Sequence, residues 1–159
     1  MKISDVLTPS LTVCQLPGSS KKRVLENISQ LFAEQLGGGQ EQCDALLNNF
    51  LNRERLGSTD MGAGVAIPHC RTIGVKKIYG CLAKLSTPID FDGMDDQPVD
   101  LLFALVVPEE KNAEHLSTLA RIAQIMKSDH SREILRNCNS NQELFDTVIK
   151  LEHTQKPCD

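Results

Sequence analysis

The sequence contains no tryptophan, a single tyrosine (Tyr79) and only 4% aromatic residues. Base-stacking platforms and sugar-stacking clefts are built from such rings, so both are poorly supplied. Positive charge is also scarce, with Lys+Arg 17 against Asp+Glu 21 and a net charge of −4. A nucleic-acid footprint needs a basic face dense enough to displace counterions, and none is expected here. Apolar runs stay short of the roughly 20 residues that cross a bilayer. The opening Met1-Lys2-Ile3-Ser4-Asp5 lacks the apolar core of a secretion signal. Membrane insertion is not expected, and the expected location is the cytoplasm.

Other absences narrow the chemistry. The cysteines Cys14, Cys43, Cys70, Cys81, Cys138 and Cys158 include no Cys-x-x-Cys pair. A structural zinc site or a secreted disulfide framework is therefore disfavoured, and most of these thiols should be reduced, partly buried small hydrophobes. No His-x-x-x-His pair or carboxylate-rich motif suggests a catalytic metal. The phosphate-cradling pattern G-x-x-x-x-G-K-[ST] is missing, and Gly62-Ala63-Gly64 is not followed as a dinucleotide fingerprint requires. Ser58 and Thr59 lack the G-x-S-x-G context of a serine hydrolase. No cofactor is expected.

What remains is an ordinary globular balance. The chain has 159 residues, 40% hydrophobic and 24% charged, enough to bury one real core. A single domain is expected over 1–153, with 154–159 a flexible C-terminal tail. Leu11 to Cys14 reads as a brief edge strand. Val24, Leu25, Ile28, Leu31, Phe32 and Leu36 repeat at helical spacing, closed by Gly37-Gly38-Gly39. Cys43, Leu46, Leu47, Phe50 and Leu51 mark a second helix. The middle turns strand-like, with Val65-Ala66-Ile67 between Gly64 and Pro68, then Ile78 to Leu85 and a turn around Pro88. Leu101 to Val107 is unbroken and apolar, the signature of a central strand covered on both faces. Leu116, Leu119, Ala120, Ala123 and Met126 form a further helical stripe. Leu144, Phe145, Val148 and Ile149 form the last, opened by the capping box Ser140-x-x-Glu143. The expected fold is α/β: a single mixed β-sheet flanked by helices on both faces.

Two of the four histidines are placed for chemistry. His69 follows Ile67-Pro68 at a strand exit, before the polar turn Cys70-Arg71-Thr72. Pro68 stiffens the backbone that presents the imidazole. Such a histidine is either a nucleophile or ligand, or a loop residue that hydrogen-bonds its own turn. His115 falls in the first turn of a helix starting near Asn112, and His115, Leu119 and Ile122 are spaced four and three apart. Free N–H groups at a helix start favour an anion, so His115 either helps hold a phosphoryl group or is a half-buried helix residue. His130 reads as a solvated surface group, and His153 as part of the tail.

Arg53-Glu54-Arg55-Leu56-Gly57-Ser58-Thr59 and Gly64-Val65-Ala66-Ile67-Pro68-His69 together resemble the phosphorylation-site motif of enzyme IIA of the bacterial phosphotransferase system. The likeness is to the fructose/mannitol class and, within it, to the nitrogen-regulatory type. Pro88 to Asp92, Gln97 to Pro108 and His115-Leu116-x-x-Leu119-Ala120 continue it in order, so that it spans most of the chain. The resemblance implies that His69 accepts a phosphoryl group on Nε2 from a nitrogen-type histidine-containing phosphocarrier protein. It implies His115 and Arg53 as the other active-site residues, with Ser58 and Thr59 supporting. It also implies regulatory targets such as potassium-transport or sensor-kinase systems, reached by a stand-alone regulator. The alternative is a sugar-specific enzyme IIA that feeds an enzyme IIB. Residue types fit the implied chemistry: a neutral imidazole is nucleophilic, and the transferred group wants a cation and donors around its oxygens.

Two positions depart from the family pattern. Cys70 stands where glycine is usual, and Asp60 where small residues are common. Cys70 is expected in an open loop, either as a tolerated small residue with an ordinary pKa or, if Arg53 or Arg71 lies near it, as an oxidisable thiolate. Asp60 would repel phosphate if its carboxylate faced the pocket.

Overall fold

The computed structural model describes residues 2–110 and 112–154. After a 3₁₀ turn at Ile3–Asp5 come strand β1 (Leu7–Leu16) and helices α1 (Lys21–Leu36) and α2 (Gln40–Arg55). The short strands β2 (Asp60–Gly62), β3 (Val65–Ala66) and β4 (His69–Thr72) follow, then the long β5 (Tyr79–Ile89) and β6 (Val99–Pro108). Helices α3 (Asn112–Met126), α4 (Asp129–Arg136) and α5 (Asn141–Thr154) complete the chain. The strands form one mixed sheet in the order β1-β5-β6-β3-β2, with β4 also paired to β6.

The unbroken apolar run indeed occupies the sheet centre. Every β6 residue except Asp100 is buried, at both parities of the strand, so both sheet faces are covered. One edge of β6 pairs antiparallel with β5. Its other edge takes β3 at Leu101 and Leu102, then β4 from Leu105 to Pro108, both parallel. Ile67-Pro68 separates these two strands, and the Pro68 carbonyl rejoins the ladder by accepting the Leu105 N–H at 2.9 Å. His69 stands directly after that break, in register with Leu105.

Helix signals in the sequence map well onto the structure. Ser20 caps α1 by accepting the Arg23 N–H, and left-handed Gly37 (φ 77°) ends it. Ser140 accepts the Glu143 N–H at 3.0 Å, while Glu143 reaches back to the Asn139 N–H, one residue before the expected partner. Ala63 and Gly64, both at positive φ, turn the β2–β3 hairpin. Arg136 ties that turn to the sheet, donating to the Ala63 carbonyl at 2.6 Å and gripping Asp100.

Several sequence expectations are corrected. β1 runs Leu7–Leu16, well beyond Leu11 to Cys14, though it is an edge strand as expected. Cys70-Arg71-Thr72 is not a polar turn but the body of β4. β5 continues through Pro88 to Ile89. It can do so because the β5–β6 register breaks between Lys84 and Ile89, where an absent N–H is tolerated. On α3 the buried face is His115, Thr118, Ile122, Ile125 and Met126, whereas Leu116 is 68% exposed and Ala120 faces solvent. The stripe is rotated because two polar residues, His115 and Thr118, take core-facing positions. His153 lies in the last turn of α5 rather than in a tail. Residues 155–159, with Cys158, lie outside the described residues. The five described cysteines are free and buried.

Candidate functional site

A pocket of about 390 Å³ is lined by Asn49, Asn52 and Arg53 from α2, Leu56 just beyond it, His69, Cys70 and Arg71 from β4, and His115 from α3. Asn49, Asn52 and Arg53 share a helix face because they are three and four residues apart. His69 and Arg71 share a strand face because they are two apart, and the burial of β4 alternates accordingly. α3 begins shortly after β6 ends, which brings His115 over β4. His69, Arg53 and His115 thus converge from three elements.

The imidazole of His69 is held at both nitrogens. Nδ1 lies 2.9 Å from the Ile67 carbonyl oxygen. A carbonyl can only accept, so Nδ1 carries the hydrogen and Nε2 keeps its lone pair. Arg53 Nε–H donates to that lone pair at 3.2 Å, and Arg53 Nη1 donates to the Gly57 carbonyl at 2.9 Å. The rings of His69 and His115 meet edge to face with centroids 5.2 Å apart. His115 is 7% exposed, and its buried Nε2 has no hydrogen-bond partner among the described residues. An unpaired buried polar atom is costly, and one facing a pocket is commonly satisfied by a ligand.

Electrostatics keep both rings neutral. Burial lowers the His69 pKa, with a smaller push from the Arg53 cation against the opposing Ile67 hydrogen bond. His115 is lowered to about 4, first by burial, then by His69, Arg71 and Arg53. At neutral pH the site therefore offers an uncharged nucleophilic nitrogen beside two guanidinium groups.

Behind Arg53, the buried Glu54 braces the following loop. It accepts the Thr59 N–H at 3.1 Å and the Thr59 hydroxyl, and pairs with Lys21 Nζ at 2.9 Å. Removing one member of such a buried pair typically costs about 3–5 kcal/mol. The Thr59 carbonyl in turn accepts the Ile67 N–H at 3.0 Å, linking the brace to the segment that presents His69. Ser58 Oγ donates to the Phe91 carbonyl at 2.6 Å and accepts from the Asp60 N–H. Ser58 and Thr59 thus shape the loop and do not line the pocket.

Asp60 lies outside the pocket lining, and Cys70 borders the pocket with its side chain on the buried face of β4. Cys70 points into the core at 4% exposure, and burial drives its pKa to about 12. The open loop expected from sequence is overturned, and the thiol has neither an ordinary pKa nor a stabilised thiolate, because β4 alternation puts residue 70 opposite His69 and Arg71. Asp60 accepts the Gly62 N–H at 2.8 Å, and burial raises its pKa. Its other oxygen packs so closely on Gly93 that a Cβ there would sit 2.0 Å away. Among the described residues no cluster of three or more potential ligands could hold a metal, and no helix is long and apolar enough to cross a membrane.

Sequence comparison agrees with this architecture. The family described as "Phosphoenolpyruvate-dependent sugar phosphotransferase system, EIIA 2" matches residues 5–150. This chain belongs to that family. It is 39% identical over 155 residues to a nitrogen regulatory protein of Pseudomonas aeruginosa, covering 98% of this chain and 99% of the relative. It is 31% identical over 154 residues to a fructose-specific EIIA component of Haloferax volcanii, covering 95% and 99%. The crystal structure of nitrogen regulatory protein IIA-Ntr from Neisseria meningitidis superposes with a TM-score of 0.85 at 34% identity, covering 92% of this chain and 98% of that one. IIA mannitol of Escherichia coli, at 17% identity and a TM-score of 0.69 over 87% of this chain and 96% of that one, shares the fold.

The resemblance stated from sequence is thus established as family membership. The sequence singled out His69, Arg53 and His115, and the EIIA fold brings them together. It missed Asn49, Asn52 and Arg71. Reading residues 69–72 as a strand would have found Arg71 by alternation, and the α2 period would have found the two asparagines.

Proposed function

We propose that this EIIA protein is a phosphohistidine carrier of the nitrogen-regulatory type, accepting its phosphoryl group on His69 Nε2. The observation that carries the reading is the tautomer: Ile67 holds the Nδ1 hydrogen, leaving the Nε2 lone pair directed at a pocket with two arginines. The donor is a phosphorylated histidine-containing carrier protein. The Nε2 lone pair forms the new P–N bond while the bond to the donor's ring nitrogen breaks and its electron pair stays on the donor imidazole. Nδ1 keeps its hydrogen on Ile67 throughout, so no proton moves at His69. Arg53 Nε, displaced from Nε2 by the new bond, turns to a phosphoryl oxygen. His115 Nε2, otherwise unpaired, takes another as a hydrogen-bond donor. In the cytoplasm the phosphorylation state would then select regulatory target proteins, a role supported by the name of the nitrogen regulatory relatives; potassium-transport or sensor-kinase systems are the targets that the sequence resemblance implies.

Incubation with phosphoenolpyruvate, enzyme I and the carrier should add one acid-labile phosphate to the wild type and none to His69→Ala. Label retained by His69→Ala would overturn the assignment. The second reading, a sugar-specific enzyme IIA, draws on the 31% identity to a fructose-specific EIIA component. Rapid transfer from the labelled protein to a fructose-type enzyme IIB would favour it over the regulatory role.

A further inference from the structure

We propose that Arg71 is a second guanidinium ligand for the phosphoryl group carried by His69, alongside Arg53. The inference rests on the phosphocarrier reading and adds to it a residue that touches the transferred group.

Three observations converge on Arg71. First, it lies two residues beyond His69 on β4, on the same exposed face, and lines the same pocket. Strand geometry spaces such side chains about 7 Å apart at the backbone, and an arginine side chain spans that distance to reach oxygens bonded to the imidazole. Second, its charge is uncommitted. Arg23, Arg121, Arg132 and Arg136 each pair with a carboxylate, at Glu26, Glu152, Asp129 and Asp100 respectively. Among the described residues Arg71 has no such partner and makes one long hydrogen bond, from Nη1 to the Glu109 carbonyl at 3.4 Å. Four of its five N–H donors remain open. Third, Arg71 lies close enough to His115 to help lower its pKa, ahead of Arg53 among the causes.

A phosphoryl group on Nε2 brings two negative charges into a partly buried site. Arg53 is the only guanidinium that the phosphocarrier reading gives to these oxygens, with His115 a neutral donor. A fork of planar donors suits phosphate oxygens better than an ammonium does. Detachment from a single 3.4 Å carbonyl contact costs little, so Arg71 can fold inward when the charge arrives.

The role is separable from docking or electrostatic steering. A residue that only helps two proteins meet changes forward and reverse transfer rates alike and leaves the equilibrium constant unaltered. A ligand of the bound phosphoryl group stabilises the phosphorylated protein itself. The experiment compares wild type, Arg71→Gln and Arg71→Lys, each equilibrated with the phosphorylated carrier. The transfer equilibrium is read by phosphate partition, and the phosphoryl pKa by phosphorus NMR. For a partly exposed charged hydrogen bond, Arg71→Gln should shift the equilibrium toward the donor by about fivefold. It should also raise the phosphoryl pKa, with partial recovery in Arg71→Lys. An equilibrium and titration identical to wild type, with or without slower rates, would overturn the inference while leaving the phosphocarrier reading intact. Failure of the wild type itself to take label would overturn both.

Discussion

Arg53 Nε–H donates to His69 Nε2 across 3.2 Å, covering the lone pair on which the proposed chemistry depends. The same guanidinium is anchored through Nη1 on the Gly57 carbonyl. Arg53 therefore guards the nucleophile in the resting protein and is already within reach of the oxygens that would replace it. Its positive charge also disfavours protonation of the ring, which keeps the lone pair present.

Replacing Arg53 with glutamine should expose both roles. The His69 pKa should rise, because one cause of its lowering is removed while the Ile67 hydrogen bond remains. Loss of one pre-placed donor typically costs a factor of about 100 or more in rate. Imidazole titration by NMR and rapid-quench transfer kinetics measure the two effects separately. A variant with wild-type rates would make Arg53 a structural anchor for Gly57 only.

His115 is expected to leave its mark on pH-dependent stability. Its folded pKa is about 4 against an ordinary value of 6.5, so between those limits the unfolded chain binds the extra proton. Stability must then fall as pH drops through this window and be fully present above it. Urea unfolding at pH 7 and pH 5 should show a larger loss for wild type than for His115→Gln, the other groups cancelling in the comparison. Equal losses in the two proteins would contradict the depressed pKa. In transfer assays His115→Ala should still accept phosphate but forward it about a hundredfold more slowly.

Cys70 should be chemically silent in the folded protein. With a thiol pKa near 12 and its side chain in the core, the thiolate population at neutral pH is negligible. Iodoacetamide should modify it only after denaturation, as read by peptide mass spectrometry. Mild peroxide should likewise leave transfer to His69 unchanged in wild type and in Cys70→Gly. Rapid alkylation of the native protein at this position would show that β4 opens readily.

The sequence alone determined the elements whose signals are local. The unbroken run at Leu101 to Val107 specified a strand buried on both faces, and the caps and periodicities of α1, α2 and α5 specified their spans. Pro68 beside His69 marked a stiff presentation of the imidazole, because proline restricts its own torsion and that of its neighbour. Which partners surround His69 was decided only in three dimensions. Arg53 is 16 residues away, and it reaches the ring because α2 packs over β4. His115 reaches it because β6 pairs with β4 in a register that delivers α3 to the same end. Tertiary packing also chose which face of α3 to bury, and it turned Cys70 inward by pairing β4 to β6, where the local composition suggests only a polar turn. Torsional preferences and side-chain periods act over a few residues, whereas strand register and helix docking follow from burying the whole apolar surface at once. The tautomer of His69 depends on both, since Pro68 shapes the turn and the fold aims the Ile67 carbonyl at Nδ1.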